Sequence, residues 1–182
     1  MIKTIIKAIK IMWGTKFIMV FVIFPLLFAL LPFFITISLP DISGNFISGL
    51  SLFVGLLFTL IITLSDKVQT KKDALENTSD AGAISTVNAY INFAEKAITI
   101  ITATVYIGLF LMVLLLLSQL QLVDIYDYAK NSESVKIKIT NFNIWWAKIV
   151  MSIITFLGMV FLLFITYILK LTHDFFYGQV AS

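Results

Sequence analysis

Long uncharged apolar stretches alternate with shorter polar segments along this chain of 182 residues. Four stretches lack Asp, Glu, Lys, Arg and His altogether: residues 17–39, 46–64, 98–117 and 149–169. At ~1.5 Å per helical residue, each is long enough to cross a hydrocarbon core of about 30 Å. The pattern predicts an all-α integral membrane fold, a bundle of four transmembrane helices forming one membrane domain over residues 1–182.

The first sixteen residues predict an amphipathic helix that lies at the membrane interface. Three lysines, Lys3, Lys7 and Lys10, recur at helical spacing, and isoleucines with Trp13 cover the rest of the surface. A lysine face beside an apolar face is attracted to anionic lipid headgroups. No small-x-small cleavage site follows, so we expect residues 1–16 to be retained rather than removed as a signal peptide.

Two prolines interrupt the first predicted span. Pro25 and Pro32 are seven residues apart, hence on one helix face, and each removes a backbone donor and bends the helix. They are candidate hinge residues. The alternative is a fixed kink that fits the neighbouring helices, and this is the commoner situation.

The second predicted span carries a stripe of small and hydroxyl side chains, and a turn is predicted just before it. The composition of Pro40 to Asn45 predicts a tight turn that makes the first two spans a hairpin. Ser51, Gly55, Thr59 and Thr63 then recur every four residues on one side of the helix. Small residues at this spacing let helices pack closely, but the same stripe could line a narrow aqueous path. These four are candidate pore-lining or helix-packing residues.

The polar insert of residues 65–97 predicts a helical extension rather than an open loop. The second helix is predicted to continue to about Glu76, although Lys71 breaks its apolar stripe. Asp80 is the predicted N-cap of a helix from about Ala83 to Gln119, ~55 Å long. The seam of this stalk is predicted to pack on the second helix or on another subunit. Its charged flanks supply candidate residues for binding a cytosolic protein: Lys71, Lys72, Glu76 and Glu95.

The second polar segment, residues 118–143, is predicted to be an outer loop. Val135 to Thr140 alternates strictly between apolar and polar residues, which is typical of a half-exposed strand. With residues 122–128 it predicts a small β-hairpin that needs support from the membrane or a partner.

Lysine counts predict the orientation. Nine lysines lie in the N-terminal segment, the insert and the C-terminal tail, against four around the outer loop. The excess of lysine marks the cytoplasmic side, so both termini and the insert are predicted there. Trp145 and Trp146 mark the interface where the fourth span begins. Lys-only, Ile- and Phe-rich usage is typical of AT-rich bacterial genes, which predicts a multi-pass protein of the bacterial cytoplasmic (inner) membrane.

Composition narrows the chemistry. The chain is 60% apolar and 13% charged, against roughly 45–50% and 25% for soluble domains, so the lipid bilayer is the expected solvent and partner. All 13 basic residues are lysines and the net charge is only +3, so nucleic-acid binding is not expected. There is no cysteine. No acid, base or histidine lies inside a predicted span, which argues against proton relays and ion-coupled transport. We expect no catalytic, cofactor or metal site, and no enzyme.

Two hypotheses of function remain. In the first, a homo-oligomer forms a channel or pore, an effector or holin-like protein, whose path runs between protomers because a single bundle fills its own interior. In the second, the chain is a membrane sensor or anchor subunit that signals to a soluble partner through the cytoplasmic insert. Membrane subunits of bacterial phage-defence systems are of this second kind, and no motif ties the chain to a named family.

Overall fold

The computed structural model describes five ranges of the chain: residues 1–13, 19–34, 39–75, 80–119 and 133–180. Within these ranges every residue except Met1, Leu30 and Asp80 is helical, and no strand occurs. The prediction of an all-α fold is therefore confirmed for the described part of the chain.

The described helices, in chain order, are α1 (Ile2–Trp13), a π-helical turn (Met19–Ile23), α2 (Phe24–Ala29), α3 (Leu31–Phe34), α4 (Leu39–Leu75), α5 (Ala81–Gln119) and α6 (Glu133–Val180). Three of them contain segments long and apolar enough to cross a membrane: Gly44–Asp73 in α4, Ala81–Ser118 in α5 and Ile144–Asp174 in α6. This is the architecture of a membrane-embedded protein, and three of the four predicted spans correspond to these helices.

The first predicted span is a broken helix in the structure. In the part of this span that the structure describes, the apolar helical stretch Val20–Phe34 covers 15 residues, about 22 Å at ~1.5 Å per residue. The π-helical turn precedes Pro25, and Leu30 separates α2 from α3 just before Pro32. Each proline lacks the N–H that a continuous α-helix would need at that point, so regular α-helical hydrogen bonding is interrupted near both sites.

The predicted turn over Pro40 to Asn45 is wrong, because these residues form the first turns of α4. Pro40 is the second residue of the helix, a position at which the missing N–H costs nothing, because the first four N–H groups of a helix have no partner within it. Proline with Asp, Ser and Gly is typical of a turn, but the same residues are compatible with the start of a helix.

The predicted strand over Val135 to Thr140 is also wrong. Helix α6 begins at Glu133 and runs through these residues and the remainder of the predicted outer loop into the apolar segment. An alternating pattern of six residues is weak evidence for a strand when a long helix follows directly. Extension of that helix through these residues is favourable, because it does not require the unfavourable nucleation of a new helix. An isolated two-stranded hairpin offers little stability in competition.

Helix α5 lies at the centre of the fold and contacts α1, α4 and α6. Ile100, Ile107 and Leu111 of α5 belong to one buried cluster with Leu50 of α4 and Phe164 of α6. A second cluster joins α4 and α5 further along their interface, where Val54, Leu57 and Ala97 are buried with Ile101 and Val105. The inner face of α4 is therefore covered by α5, while the remainder of its circumference is exposed.

Helix α1 combines a face that packs on the protein with exposed faces. Ala8 is fully buried and Met12 nearly so, in the same cluster as the central residues of α5. Lys3, Lys7 and Lys10 are exposed, and Ile2 has an exposed fraction of 70%. Part of the predicted apolar face therefore packs on the protein, because α5 covers the Ala8 side, and the remainder is exposed.

Candidate functional site

The predicted small-residue stripe lies on the outside of α4. Ser51, Gly55, Thr59 and Thr63 are all exposed. Their positions follow from helical geometry, because the buried residues of α4 recur on the opposite side, against α5. The stripe therefore faces away from the interior of its own protomer.

The hydroxyl protons of this stripe are already engaged. Thr59 Oγ1 donates to the carbonyl of Gly55 at 3.1 Å, and Thr63 Oγ1 donates to the carbonyl of Thr59 at 3.0 Å. Ser51 Oγ lies 3.1 Å from Sδ of Met112 on α5. A hydroxyl that donates its proton keeps its lone pairs, so the stripe presents a line of hydrogen-bond acceptors to whatever covers it.

Gly55 leaves an open notch within the stripe. A Cβ built there would meet no atom within 4 Å. Gly108 of α5 is the opposite case, since a Cβ there would lie 2.7 Å from Cγ2 of Val54 and 3.1 Å from Cε2 of Phe161. The packing of the protomer thus needs the small size of Gly108, whereas nothing within the protomer requires a glycine at position 55.

The exposed polar line continues beyond the apolar part of α4. Asp66, Gln69 and Asp73 follow at spacings of three and four residues and are exposed. The Gln69 side-chain amide donates to Asp73 Oδ1 at 3.0 Å, one turn away. One side of α4 is consequently small and polar from the membrane segment into the hairpin that α4 forms with α5.

That hairpin has its own small core. Val68 of α4 is buried with Ile91 and Ala94 of α5, and Leu75 and Val87 pack at the margin. The predicted seam therefore closes on the second helix of the same chain. Asp80 acts as the predicted N-cap, because its Oδ1 accepts the backbone N–H of Gly82 at 2.9 Å.

The candidate partner-binding residues have different environments. Lys72 Nζ and Glu95 Oε1 form an ion pair at 3.1 Å that bridges the two helices of the hairpin. Lys71 is exposed, and Glu76 lies outside the described residues. Two of the four candidate residues, Lys72 and Glu95, thus bind each other. Lys71 is exposed and forms no ion pair with another described residue.

The two prolines lie on the inner side of the broken first segment, which packs on α6. Pro25, Ala29 and Pro32 are buried and share one face, as their spacing predicts. At the break, Ser152 Oγ of α6 donates to the carbonyl of Ala29 at 2.5 Å. The backbone at the break is thus satisfied by a neighbouring helix, the usual solution in an apolar environment. The bond ties the kink to α6 in this conformation.

Sequence reasoning identified neither the hydrogen bond of Ser152 nor the close contact at Gly108. The signal for Gly108 was its isolation, as the one glycine between residues 98 and 117. For Ser152 the signal was the pair of prolines in the first span. Prolines leave backbone carbonyl groups without donors, which predicts that a hydroxyl on a neighbouring helix donates to one of them. Neither signal specifies the partner helix.

The described core of the protomer consists mainly of buried apolar side chains. Phe164, Ile100, Ile101 and Leu111 are essentially inaccessible, and the one buried hydroxyl of the described core, Thr104, donates to the carbonyl of Ile100 at 2.8 Å. No cluster of three or more His, Asp or Glu side chains able to hold a metal ion occurs among the described residues. Within the described residues, the exposed side of α4 carries hydroxyl oxygens whose acceptor capacity remains available inside an apolar segment.

Comparison with models of protein families, with curated proteins and with solved structures found no match for this chain.

Proposed function

We propose that this protein is a homo-oligomeric channel or pore of the bacterial inner membrane whose path runs between protomers, an effector or holin-like protein. The observation that carries the proposal is the exposed small and hydroxyl stripe on α4, set within an apolar membrane segment. Lipid contact gains nothing from Ser51, Gly55, Thr59 and Thr63, whereas a neighbouring helix or a file of water does.

The apolar core supports the location of the path. The described core is formed by buried apolar side chains such as Phe164, Ile100 and Leu111, which offer no polar lining for a water path inside one protomer. The acceptor oxygens of the stripe are uncharged, which suits weak binding and rapid release of a permeating species. An assembly that places these oxygens around a common axis therefore provides the polar lining that the described core of one copy lacks.

The proposed topology follows from lysines and aromatic residues. The predicted span of residues 17–39 makes a fourth crossing, so both termini and the α4–α5 hairpin lie in the cytoplasm with the lysine-rich segments. Exposed Trp145 and Trp146 anchor α6 at the opposite interface. Helix α1 rests at the cytoplasmic interface, with its Ala8 side on α5 and Lys3, Lys7 and Lys10 at the phosphates.

Solute release from liposomes tests the channel. Purified protein should release an entrapped small ion faster than protein-free vesicles, and Gly55→Leu should reduce this release because the notch on α4 is filled. Gly158→Leu is the matched control, because a Cβ at 158 on α6 also meets no atom within 4 Å. A lack of release by the wild-type protein across pH, voltage and lipid composition would contradict the proposal, as would equal effects of the two substitutions.

A second candidate function, a sensor or anchor that binds a cytosolic protein, is favoured by the hairpin. Helices α4 and α5 continue as a packed pair past the apolar segment, with the Lys72–Glu95 ion pair on their surface. Replacement of residues 65–97 by a Gly/Ser linker should then abolish capture of the partner while the membrane helices remain inserted. Retained capture would exclude this function.

A further inference from the structure

Helix α4 has two exposed flanks of different chemistry. The first, here the small-acidic flank, consists of Gly44, Ser48, Ser51, Gly55, Asp66 and Asp73. The second, the large-basic flank, consists of Phe53, Leu56, Leu60, Lys67 and Lys71. At about 100° per residue, the two flanks are separated by roughly 100° to 160° around the helix axis, on the side away from α5.

The two flanks are complementary in shape. The first has the open notch at Gly55, and the second has Leu56 and Leu60 with exposed fractions of 61% and 40%. A large aliphatic side chain on one helix that fits beside a glycine on the next gives the close packing by which helices associate in lipid.

The flanks are also complementary in charge. Asp66 and Asp73 lie on the first flank at the end of α4 that enters the hairpin, and Lys67 and Lys71 lie on the second. Asp66, Lys67 and Lys71 have no ion-pair partner in the part of the chain that the structure describes. The charges of Asp66, Lys67 and Lys71 therefore suit a contact between copies more than a contact within one.

The membrane restricts how two copies can meet. Copies inserted in one orientation are related by rotation about the membrane normal, so a residue lies at the same depth in every copy. Asp66 and Lys67 are consecutive and differ by only ~1.5 Å in height, as do Gly55 and Leu56. In neighbouring copies related by this rotation, Asp66 therefore lies level with Lys67, and Gly55 lies level with Leu56.

We infer that α4 is the contact helix between copies, and that the small-acidic flank of one copy packs against the large-basic flank of the next. This inference rests on the proposed homo-oligomer and specifies its interface. Contacts between two different faces are heterologous, and they generate a ring when the rotation between copies closes. In a ring of n helices the two contact faces of each helix are 180° − 360°/n apart, so flanks roughly 100° to 160° apart correspond to rings of about five to about eighteen copies.

The arc between the flanks then faces the ring axis. Thr59, Thr63 and Thr70 lie on that arc and are exposed, whereas the side that packs on α5 points outward. The hydroxyl lining of the proposed path and the protomer contact thus come from the same helix, with α5 and α6 as the outer layer.

Disulfide cross-linking tests the contact, and the absence of cysteine from the chain leaves no background. Chains with Gly55→Cys and chains with Leu56→Cys, distinguished by tags and co-expressed, should form a mixed disulfide, since the Cα atoms would approach within disulfide range. Either variant alone should not cross-link, because neither flank meets itself. Gly55→Cys mixed with Leu162→Cys, on the exposed side of α6, is the negative control.

The cross-linking pattern and the native mass together distinguish the proposed contact from its alternatives. Disulfides from Gly55→Cys chains alone would indicate a two-fold contact and overturn the inference. An oligomer by native mass without the mixed disulfide would also overturn it, yet leave the proposed channel intact. A monomer by native mass that still releases ions would contradict both the interface and the proposed oligomer.

Charge reversal gives an independent test. Asp66→Lys with Asp73→Lys should reduce the oligomeric fraction, as should Lys67→Asp with Lys71→Asp, because each puts like charges face to face. All four changes together should restore assembly. Lys96→Glu, at an exposed site on α5, should leave it unchanged. A fourfold variant with no recovery would contradict the predicted pairing of the flanks.

Discussion

Substitution of Gly108 by alanine is expected to loosen the centre of the bundle. The added Cβ would lie 2.7 Å from Cγ2 of Val54, whereas ordinary contacts begin at 3.4 Å, so the two helices must separate locally by about 0.7 Å. Rotation of the valine offers little relief, because β-branched side chains in helices have one strongly preferred rotamer. Phe161 closes the other side at 3.1 Å.

The magnitude follows from two opposed terms. Overpacking of this kind costs about 1–3 kcal/mol, and exchange of glycine for alanine inside a helix returns up to ~1 kcal/mol. Gly158→Ala, where the Cβ meets no atom within 4 Å, receives only the second term. The two variants should therefore differ by about 1–3 kcal/mol, which is roughly 5- to 150-fold in the unfolding equilibrium.

Reversible unfolding in mixed micelles of increasing SDS content measures this difference, with the three tryptophans as the fluorescent reporter. Val54→Ala removes the clashing methyl, so the double variant should be less destabilised than the sum of the single variants. Equal stability of Gly108→Ala and Gly158→Ala, or strict additivity with Val54→Ala, would refute the close approach of α4 and α5 at this point.

Three further experiments test local interactions. Asp80→Ala should destabilise the start of α5 by about 0.5–2 kcal/mol through loss of the N-cap, measured as faster amide exchange in its first turn, and unchanged exchange would contradict the capping role. A double-mutant cycle on Lys72 and Glu95 should give a coupling of only about 0.2–1 kcal/mol that falls with salt, because the pair is exposed; a larger, salt-independent value would contradict this reasoning. Ser152→Ala should cost about 0.6–1.7 kcal/mol in micelle unfolding, because the Ala29 carbonyl loses its donor, and no cost would show that the bond is dispensable.

The long helices were predictable because their signal is redundant. About twenty uncharged and mostly apolar residues in a row identify a membrane helix whatever its neighbours do. The hairpin was also predictable, since the apolar positions at 84, 87, 91, 94 and 98 keep a helical rhythm and Asp80 supplies a cap. The predicted ends, at about Glu76 and Ala83, fall within two residues of the observed Leu75 and Ala81.

Short polar segments were the source of the errors. Residues 40–45 and 135–140 carry turn and strand chemistry over six residues each, yet both belong to helices that continue into long apolar segments. Local propensity amounts to about 1 kcal/mol or less per residue, so an adjacent long helix overrides it.

The residues of the candidate site could be predicted from the sequence, but the side of the fold that they face could not. Periodicity placed Ser51, Gly55, Thr59 and Thr63 on one side of α4, but only the packing of α5 against the opposite side shows that they are exposed. Likewise the sequence placed Lys72 and Glu95 on a charged stalk, and only the approach of the two helices pairs them. Contacts between distant segments are not encoded in the spacing within either segment.

Thiol labelling of sealed membrane vesicles tests the transmembrane arrangement most directly. One cysteine replaces Ser85, at the exposed start of α5 beside the hairpin, and another replaces Glu133, the first residue of α6. An impermeant reagent applied to right-side-out vesicles should label the cysteine at 133 and spare the one at 85, and inside-out vesicles should give the reverse. Labelling of both cysteines from the same side would contradict a membrane crossing by α5.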